Sequence, residues 1–201
     1  MEKIPVINAG DCPVAPLHGS IREDKEEYYA TGDYNSGFRI GTWNYFLRPH
    51  GRVFRTEHWV NGYLHGDFQE CYPKGIIKIS GSYDTGKPIG QWQWYDELGR
   101  IMTRGYYPSG LWVFYTIGRL IAQGPMLFDG TKLIQEGSWK YHHAHGNFRN
   151  GKQIGIWTWY HQDGKTKKLV HNFDTEYSES YSATGQLLAT KTKDLWTFIP
   201  L

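Results

Sequence analysis

The sequence predicts an all-β fold built from short β-hairpin repeats, and three observations support this. Aromatic residues make up 16% of the chain and all hydrophobic residues 39%, so Trp, Tyr and Phe carry much of the apolar content, as pleated strands favour. The 24 glycines occur at short intervals, which indicates many turns. A Gly-x-x-x-Gly-x-Trp motif recurs at a spacing of roughly 20 to 25 residues, which fits a pair of short strands and is too short for a βαβ unit. No segment shows the 3.6-residue apolar period of a helix.

Each copy of the motif continues with an aromatic residue and ends at a later Gly. An aromatic residue also lies three positions before the first Gly of most copies, and the residues between them, such as Asn35-Ser36 and Arg149-Asn150, favour the positive φ of tight hairpin turns. The fourth copy lacks the Gly-x-x-x-Gly spacer, and the fifth carries an insertion at 131–136. The six copies begin at Gly37, Gly62, Gly86, Gly110, Gly130 and Gly151, and a degraded seventh ends at Gly185.

Strand periodicity predicts that the aromatic residues form a ladder. Residues i and i+2 share one face of a strand, so stacked hairpins align one Trp per repeat and bury the rings against one another. The predicted same-face pairs are Trp43 with Tyr45, Trp92 with Trp94, Trp112 with Phe114, Trp139 with Tyr141, and Trp157 with Trp159.

Three segments are expected along the chain. Residues 1–28 carry no repeat and are predicted to cap the array, residues 29–186 form the hairpin repeats, and residues 187–201 form one or two closing strands. Caps are expected because an open array exposes sheet edges. Open edges can also pair with each other, so a homodimer is an alternative to a monomer.

Composition favours a cytoplasmic protein without a nucleic-acid partner. The net charge is +2, too close to neutral to indicate nucleic acid. The two cysteines, Cys12 and Cys71, have no metal-site spacing, and their small number favours a reducing compartment. We expect no signal peptide and no membrane span, because no apolar stretch is long enough for either.

The repeats resemble a known family. The segments 61–68 and 151–160 are similar to MORN repeats, in the bacterial variant in which Gly-x-x-x-Gly-x-Trp is followed by Tyr and a later Gly. The resemblance covers about residues 29–186. It implies an elongated, twisted antiparallel meander of hairpins, and a role like that of YwqK-type antitoxins or immunity proteins, which are paired with secreted toxins.

The one cluster that suggests metal chemistry is His142-His143-Ala144-His145. On a strand, His143 and His145 would share a face and present two metal ligands, but a site needs a further ligand that the sequence does not identify. The ordinary explanation is a polar hairpin loop near Gly146. The sequence contains no Gly-x-Ser-x-Gly, phosphate-loop or His-Glu-x-x-His motif, and we predict no cofactor and no catalytic residues.

Aromatic residues and arginines on an open sheet face are typical of protein interaction surfaces. The ordinary alternative for each aromatic residue is packing in the core. The residues that we select as candidates for partner binding are Trp94, Trp159, Tyr141, Arg100 and Arg119.

These observations together predict a non-enzymatic scaffold that binds protein, and the family resemblance implies an immunity protein or antitoxin that neutralises a cognate bacterial toxin. One alternative is a membrane-associated scaffold, for which Lys165, Lys167 and Lys168 form only a weak basic patch. A more distant alternative is a metal-dependent enzyme that uses His143 and His145.

Overall fold

The computed structural model describes residues 6–8, 17–193 and 195–199, which form two compact units, Met1–Tyr107 and Pro108–Leu201. Cys12, much of the predicted cap and the last two residues of the chain lie outside the described residues. The first unit contains ten strands: β1 (Val6–Asn8), β2 (Gly19–Asp24), β3 (Tyr28–Asn35), β4 (Phe38–Leu47), β5 (Arg52–Val60), β6 (Tyr63–Leu64), β7 (Gly66–Cys71), β8 (Ile77–Asp84), β9 (Lys87–Tyr95) and β10 (Ile101–Tyr107).

The first unit is an antiparallel meander from β2 to β10, in which consecutive strands pair except at β6. The short β6 and the longer β7 both pair with β5, as two parts of one interrupted strand. At the start of the unit, β1 pairs with β2 in parallel. The insertion-free repeats therefore form consecutive hairpins.

The second unit also contains ten strands and follows the same plan. Here β12 pairs with the next two strands, because the inserted segment adds a short strand to this repeat, and the antiparallel order then continues to the end of the unit. The strands are β11 (Ser109–Thr116), β12 (Arg119–Phe128), β13 (Leu133–Gln135), β14 (Gly137–Tyr141), β15 (Ala144–Arg149), β16 (Lys152–Tyr160), β17 (Lys167–Asn172), β18 (Tyr177–Tyr181), β19 (Leu187–Thr192) and β20 (Leu195–Phe198).

In four of the six copies, the first Gly of the motif closes a two-residue hairpin turn. The residue before it also has a positive φ, as at Asn61 (48°) before Gly62 (80°) and Asn150 (50°) before Gly151 (73°). Two successive positive φ values define the turn whose twist matches that of paired strands. Gly and Asn adopt this conformation at low cost, which explains the turn residues of the motif.

The second Gly of the motif forms a bulge two residues before the Trp. Its φ is 64° at Gly41, 63° at Gly90 and 59° at Gly155. At each of these positions the pairing with the preceding strand shifts register. A residue in this left-handed region of a bulge is normally Gly. The bulge therefore accounts for the Gly-x-Trp spacing.

The core of each unit is one aromatic face of its sheet, which we call the core face. Five tryptophans are at most 5% exposed. The indoles of four of them lie against the bare backbone of a Gly on a neighbouring strand. A Cβ on any of these glycines would lie 2.1 to 2.3 Å from a ring atom of the indole. The four pairs are Gly32 with Trp43, Gly81 with Trp92, Gly124 with Trp139, and Gly146 with Trp157.

Each of these indoles is also held by a hydrogen bond to the backbone. The Nε1–H group donates to the carbonyl oxygen of the residue after the glycine, at 3.0 to 3.3 Å. This bond satisfies the only polar atom of a buried Trp side chain. The acceptors are the carbonyl oxygens of Asp33, Ser82, Pro125 and Asn147.

The predicted all-β fold of repeated antiparallel hairpins is confirmed. Among the described residues every regular element is a strand, and none forms a helix long and apolar enough to cross a membrane. The last two strands, β19 and β20, form an antiparallel hairpin in the segment predicted to close the array.

Candidate interaction surfaces

The first unit buries a charged network where one glycine of the ladder is replaced. Glu57 lies directly across from Trp43 in the β4–β5 ladder and is 5% exposed. Its Oε2 accepts hydrogen bonds from the hydroxyl of Tyr45 (2.6 Å) and the indole of Trp59 (3.0 Å), and Arg55 lies 3.5 Å from its Oε1. Burial and the hydrogen bond to Glu57 raise the pKa of Tyr45, so its phenol stays protonated and donates.

The network extends through Arg39 to a second carboxylate, that of the partly buried Glu23. This guanidinium donates to Tyr45 (2.8 Å) and to Glu23 (2.6 Å), and its central carbon lies 4.0 Å from the ring centroid of Trp43. A cation above an aromatic ring is electrostatically favourable. Each buried charge here has an opposite partner, so the cluster holds together the core face of the first unit rather than presenting a free charge.

A third carboxylate, Glu70, continues the network on the next strand. Burial alone would raise the pKa of Glu70, but hydrogen bonds from Lys78 (2.7 Å) and Arg55 (2.9 Å) outweigh that effect and lower it. Glu70 is therefore ionised, and Arg55 joins it to Glu57. The three carboxylates are thus neutralised within the fold.

The second unit carries a more accessible surface, which we call the Trp159 shelf and define by Tyr141, His143 and Trp159. Trp159 is half-buried and its ring centroid lies 5.8 Å from that of buried Trp157. Tyr141 lies 5.9 Å from Trp157 on its other side and accepts a hydrogen bond from Gln135 (2.8 Å). The ladder thus supports the shelf from beneath.

Two open depressions meet at the shelf. One has a volume of about 700 Å³ and the other about 420 Å³, and both are lined by His143 and Trp159. The larger one adds polar and charged groups from the β16–β17 hairpin, His161, Gln162, Asp163 and Lys168. The smaller one adds Ile121, Tyr141, His142, Ala144, Gln153 and Trp157.

The acidic group beside the larger depression is held ionised by its own turn. The Thr166 hydroxyl donates to the Asp163 carboxylate, as do the backbone N–H groups of Lys165 and Thr166 (both 2.9 Å). These hydrogen bonds lower the pKa of Asp163 to about 2. Asp163 and Lys168 therefore present opposite charges at the rim of the shelf.

The five residues selected from the sequence lie in different places. Trp159 and Tyr141 both belong to the shelf. Trp94 is half-buried on the core face of the first unit, 6.0 Å from Trp92 between ring centroids. Arg100 is exposed in the turn before β10 and donates to Asp96 (2.7 Å), and Arg119 is exposed at the start of β12. All three aromatic candidates share a face with the ladder, as the i, i+2 rule requires.

The histidine cluster lies at a hairpin turn, as the ordinary explanation of the sequence expects, and the alternative in which His143 and His145 share a face of one strand is wrong. His142 and His143 form the two-residue turn between β14 and β15, where Tyr141 pairs with Ala144, and only His145 lies on a strand. The Nδ1 atom of His145 forms a hydrogen bond with the hydroxyl of Tyr160 at 3.1 Å. Within the described residues, no three His, Cys, Asp or Glu side chains are placed to hold a metal ion.

A second glycine position of the ladder is occupied by a histidine. His171 lies across from Trp157 in the β16–β17 ladder, and its Nδ1 is 2.7 Å from the hydroxyl of Ser178, which is 5% exposed. The His171 ring meets Phe173 edge to face at 4.4 Å. The ladder of large rings ends here, because the buried Ser178 lies on the strand that would carry the next one.

Sequence reasoning did not find Glu57, His171 or the polar residues around the shelf. The available signal was the glycine under each indole, which lies eleven positions before the Trp in three repeats (32 to 43, 81 to 92, 146 to 157). Position 57 is the same eleven positions before Phe68, and it carries Glu instead of Gly. The residues that line the depressions come from four separate hairpins, and no local motif identifies them.

Comparison with models of known protein families gives no match for this chain, and a search of curated proteins gives no significant match either.

Proposed function

We propose that this chain is a non-enzymatic protein-binding scaffold, and that it binds its partner through the Trp159 shelf. The supporting observation is that Trp159 and Tyr141 are half-buried beside two open depressions, while the ladder behind them is closed. Large aromatic side chains on a rigid support lose little conformational freedom when they bind. They are the residues that most often dominate protein interfaces.

The rim of the shelf adds polar groups that suit a protein partner. Asp163, Lys168 and Gln153 surround the aromatic centre with both signs of charge and an amide. An aromatic centre inside a polar rim is the usual organisation of an interface. The depressions are open, whereas sites for small molecules bury most of the ligand.

The partner we propose is a protein toxin that this chain neutralises. The support for this step is the resemblance of segments 61–68 and 151–160 to MORN repeats of the antitoxin type. The net charge of +2 argues against recognition by charge alone, so contacts with the aromatic shelf are expected to supply most of the specificity.

The test is an affinity capture with the full-length tagged chain from a lysate of the cell that produces it. Three proteins are compared: the wild type, Trp159→Ala and Ile156→Ala. Ile156 lies on the same strand as Trp159 but on the opposite face, and it is 58% exposed. We expect one stoichiometric partner, with at least a tenfold loss of affinity for Trp159→Ala and little change for Ile156→Ala.

The captured protein is then expressed alone and together with this chain. Growth arrest when it is alone, and normal growth in the presence of wild-type chain but not of Trp159→Ala, would support neutralisation. A partner that is harmless on its own contradicts the toxin assignment. If Trp159→Ala and Ile156→Ala capture the partner equally well, the partner does not bind through the Trp159 shelf. If no protein partner is captured and the chain sediments with anionic vesicles, the membrane scaffold is favoured.

A further inference from the structure

The last strand of the second unit exposes apolar side chains along its whole length. Leu195 is 68% exposed, Phe198 78%, Trp196 41% and the following Ile199 40%. Among the described residues, β20 pairs only with β19. The other edge of β20 therefore has no pairing strand among the described residues. Exposed apolar side chains lie along that edge on both faces of the sheet.

Apart from its short length, β20 carries none of the features that usually keep sheet edges apart. Natural edge strands carry Lys, Pro or a bulge that prevents pairing with another chain. From Leu195 to Ile199 the sequence contains no charge and no Pro, and the β19–β20 pairing runs without a register shift. Such an edge can accept another strand.

The backbone groups that point outward can be identified from the β19–β20 ladder. Ile199 donates its N–H to the carbonyl oxygen of Leu188 at 2.7 Å, so its backbone faces β19. Because this direction alternates along an antiparallel strand, Thr197 and Leu195 also face β19. Trp196 and Phe198 direct both their N–H and their C=O groups to the open edge.

The side chains of this segment are self-complementary about Thr197. If two copies pair antiparallel with Thr197 opposite Thr197, then Trp196 of each copy lies opposite Phe198 of the other, and Leu195 lies opposite Ile199. The outward groups of Trp196 and Phe198 then face each other and exchange hydrogen bonds. Aromatic pairs directly across a ladder are among the favourable cross-strand combinations. A shift of the centre to Trp196 would instead place Leu195 opposite Thr197.

We infer that β20 is a self-association site, through which two copies of this chain pair about a two-fold axis at Thr197. The interface is isologous, because each copy contributes the same strand. It joins the two sheets edge to edge with both core faces on the same side. This surface is separate from the Trp159 shelf, so the inference does not depend on the proposed function.

The exposed area indicates how strong this pairing is. The four apolar side chains expose on the order of 500 Å² per copy, so two copies bury at most about 1,000 Å², at the lower limit of specific interfaces. The dimer is therefore weak, with a dissociation constant on the order of 100 µM. It would form at high concentration or when another contact holds two copies together.

A charge-swap experiment on the full-length chain tests both the site and its register. Thr197 is exposed and lies opposite itself in the proposed dimer, so Thr197→Lys and Thr197→Asp each place like charges together. Thr192→Lys is the control, because it adds the same charge on the same sheet face one strand further in, across from Leu195. Sedimentation velocity from about 10 to 500 µM, a range set around the expected dissociation constant, measures the mass of each protein.

We expect a concentration-dependent dimer for the wild type and for Thr192→Lys. Each Thr197 variant alone should weaken the dimer at least tenfold, and an equal mixture of the two should restore it, because opposite charges then face each other. That recovery also shows that both variants are folded. A wild-type mass that stays monomeric over the whole range overturns the inference. So does a dimer that persists in both single variants, since it would use another surface.

Discussion

Gly146→Ala tests whether the bare backbone under each indole is essential to the ladder. A Cβ on Gly146 would lie 2.2 Å from Cδ2 of Trp157, whereas ordinary contacts begin at 3.4 Å. The indole, only 2% exposed, would have to retreat by about 1.2 Å, the difference between these two distances. Phe148 lies 5.0 Å and Trp159 5.8 Å from Trp157 between ring centroids, so the ring has little room to move.

The cost follows from two effects. Overpacking a well-packed core costs about 1–3 kcal/mol. The movement also breaks the hydrogen bond from the Trp157 indole to the carbonyl oxygen of Asn147 (3.1 Å), and a buried donor without a partner costs about 1–3 kcal/mol. We therefore expect Gly146→Ala to lower the free energy of unfolding by about 2–6 kcal/mol.

Urea denaturation followed by far-ultraviolet circular dichroism measures this loss. The control is Gly164→Ala, because a Cβ there meets no atom within 4 Å while φ is 67°, so it reports backbone strain alone, at about 1–2 kcal/mol. In a double-mutant cycle, Trp157→Leu should remove most of the penalty at Gly146. The reasoning is refuted if Gly146→Ala is no more destabilising than Gly164→Ala, or if its effect is unchanged when Trp157 is replaced.

Three further predictions concern the network, a turn and an acid-sensitive carboxylate. Glu57→Gln replaces one accepting oxygen of a buried carboxylate with an NH2 group, which can only donate. We expect it to lower the free energy of unfolding by about 1–3 kcal/mol, measured by urea denaturation. The control is Glu97→Gln in an exposed turn, which should have little effect. Ile117 is β-branched, 79% exposed and at a φ of 46°, so Ile117→Asn should raise the melting temperature measured by circular dichroism. The pKa of Asp163 in the folded chain is about 2, below the ordinary 3.8, so its contribution to stability should be complete above pH 4 or so and be lost as the pH falls through about 2. Carbon-13 NMR titration checks this, and Thr166→Ala should move the pKa upward.

The strands and turns were predictable because their signals are local. A two-residue hairpin turn of this type needs a positive φ at two adjacent positions. The dipeptides Asn61-Gly62 and Asn150-Gly151 favour that conformation, so the turns can be predicted from the sequence. The bulge at Gly155 is likewise encoded by one residue that no side chain can replace without strain. Repetition of these local signals makes the all-β meander visible from the sequence.

The surfaces were less predictable because they depend on which strands become neighbours. Trp159 and Tyr141 were selected by residue type, but the depressions beside them arise from His143 in one hairpin and Lys168 in another. Alternation alone also left open a strand that carries both His143 and His145, whereas the β14–β15 pairing puts a two-residue turn at His143. Pairing register decides such cases, and register is a property of two strands together.

In the second repeat, the residue at the glycine position and the aromatic residue eleven positions later both differ from those of the repeats with a Gly–Trp pair. Phe68 stands where other repeats place Trp, and the position eleven residues earlier carries Glu57 instead of Gly. A phenyl ring is smaller than an indole and has no N–H that requires a backbone acceptor. The space that a bare glycine leaves for the indole in other repeats is therefore available to a side chain here.

A carboxylate in that space is tolerated only if donors surround it, because an unpaired buried charge is strongly unfavourable. The hydroxyl of Tyr45 and the indole of Trp59 supply those donors, and both belong to strands before Phe68. Loss of the Gly–Trp pair in one repeat is thus compensated by polar groups of the preceding one. The same logic applies where His171 replaces the glycine and Ser178 satisfies it, so each break in the ladder requires matched changes on adjacent strands.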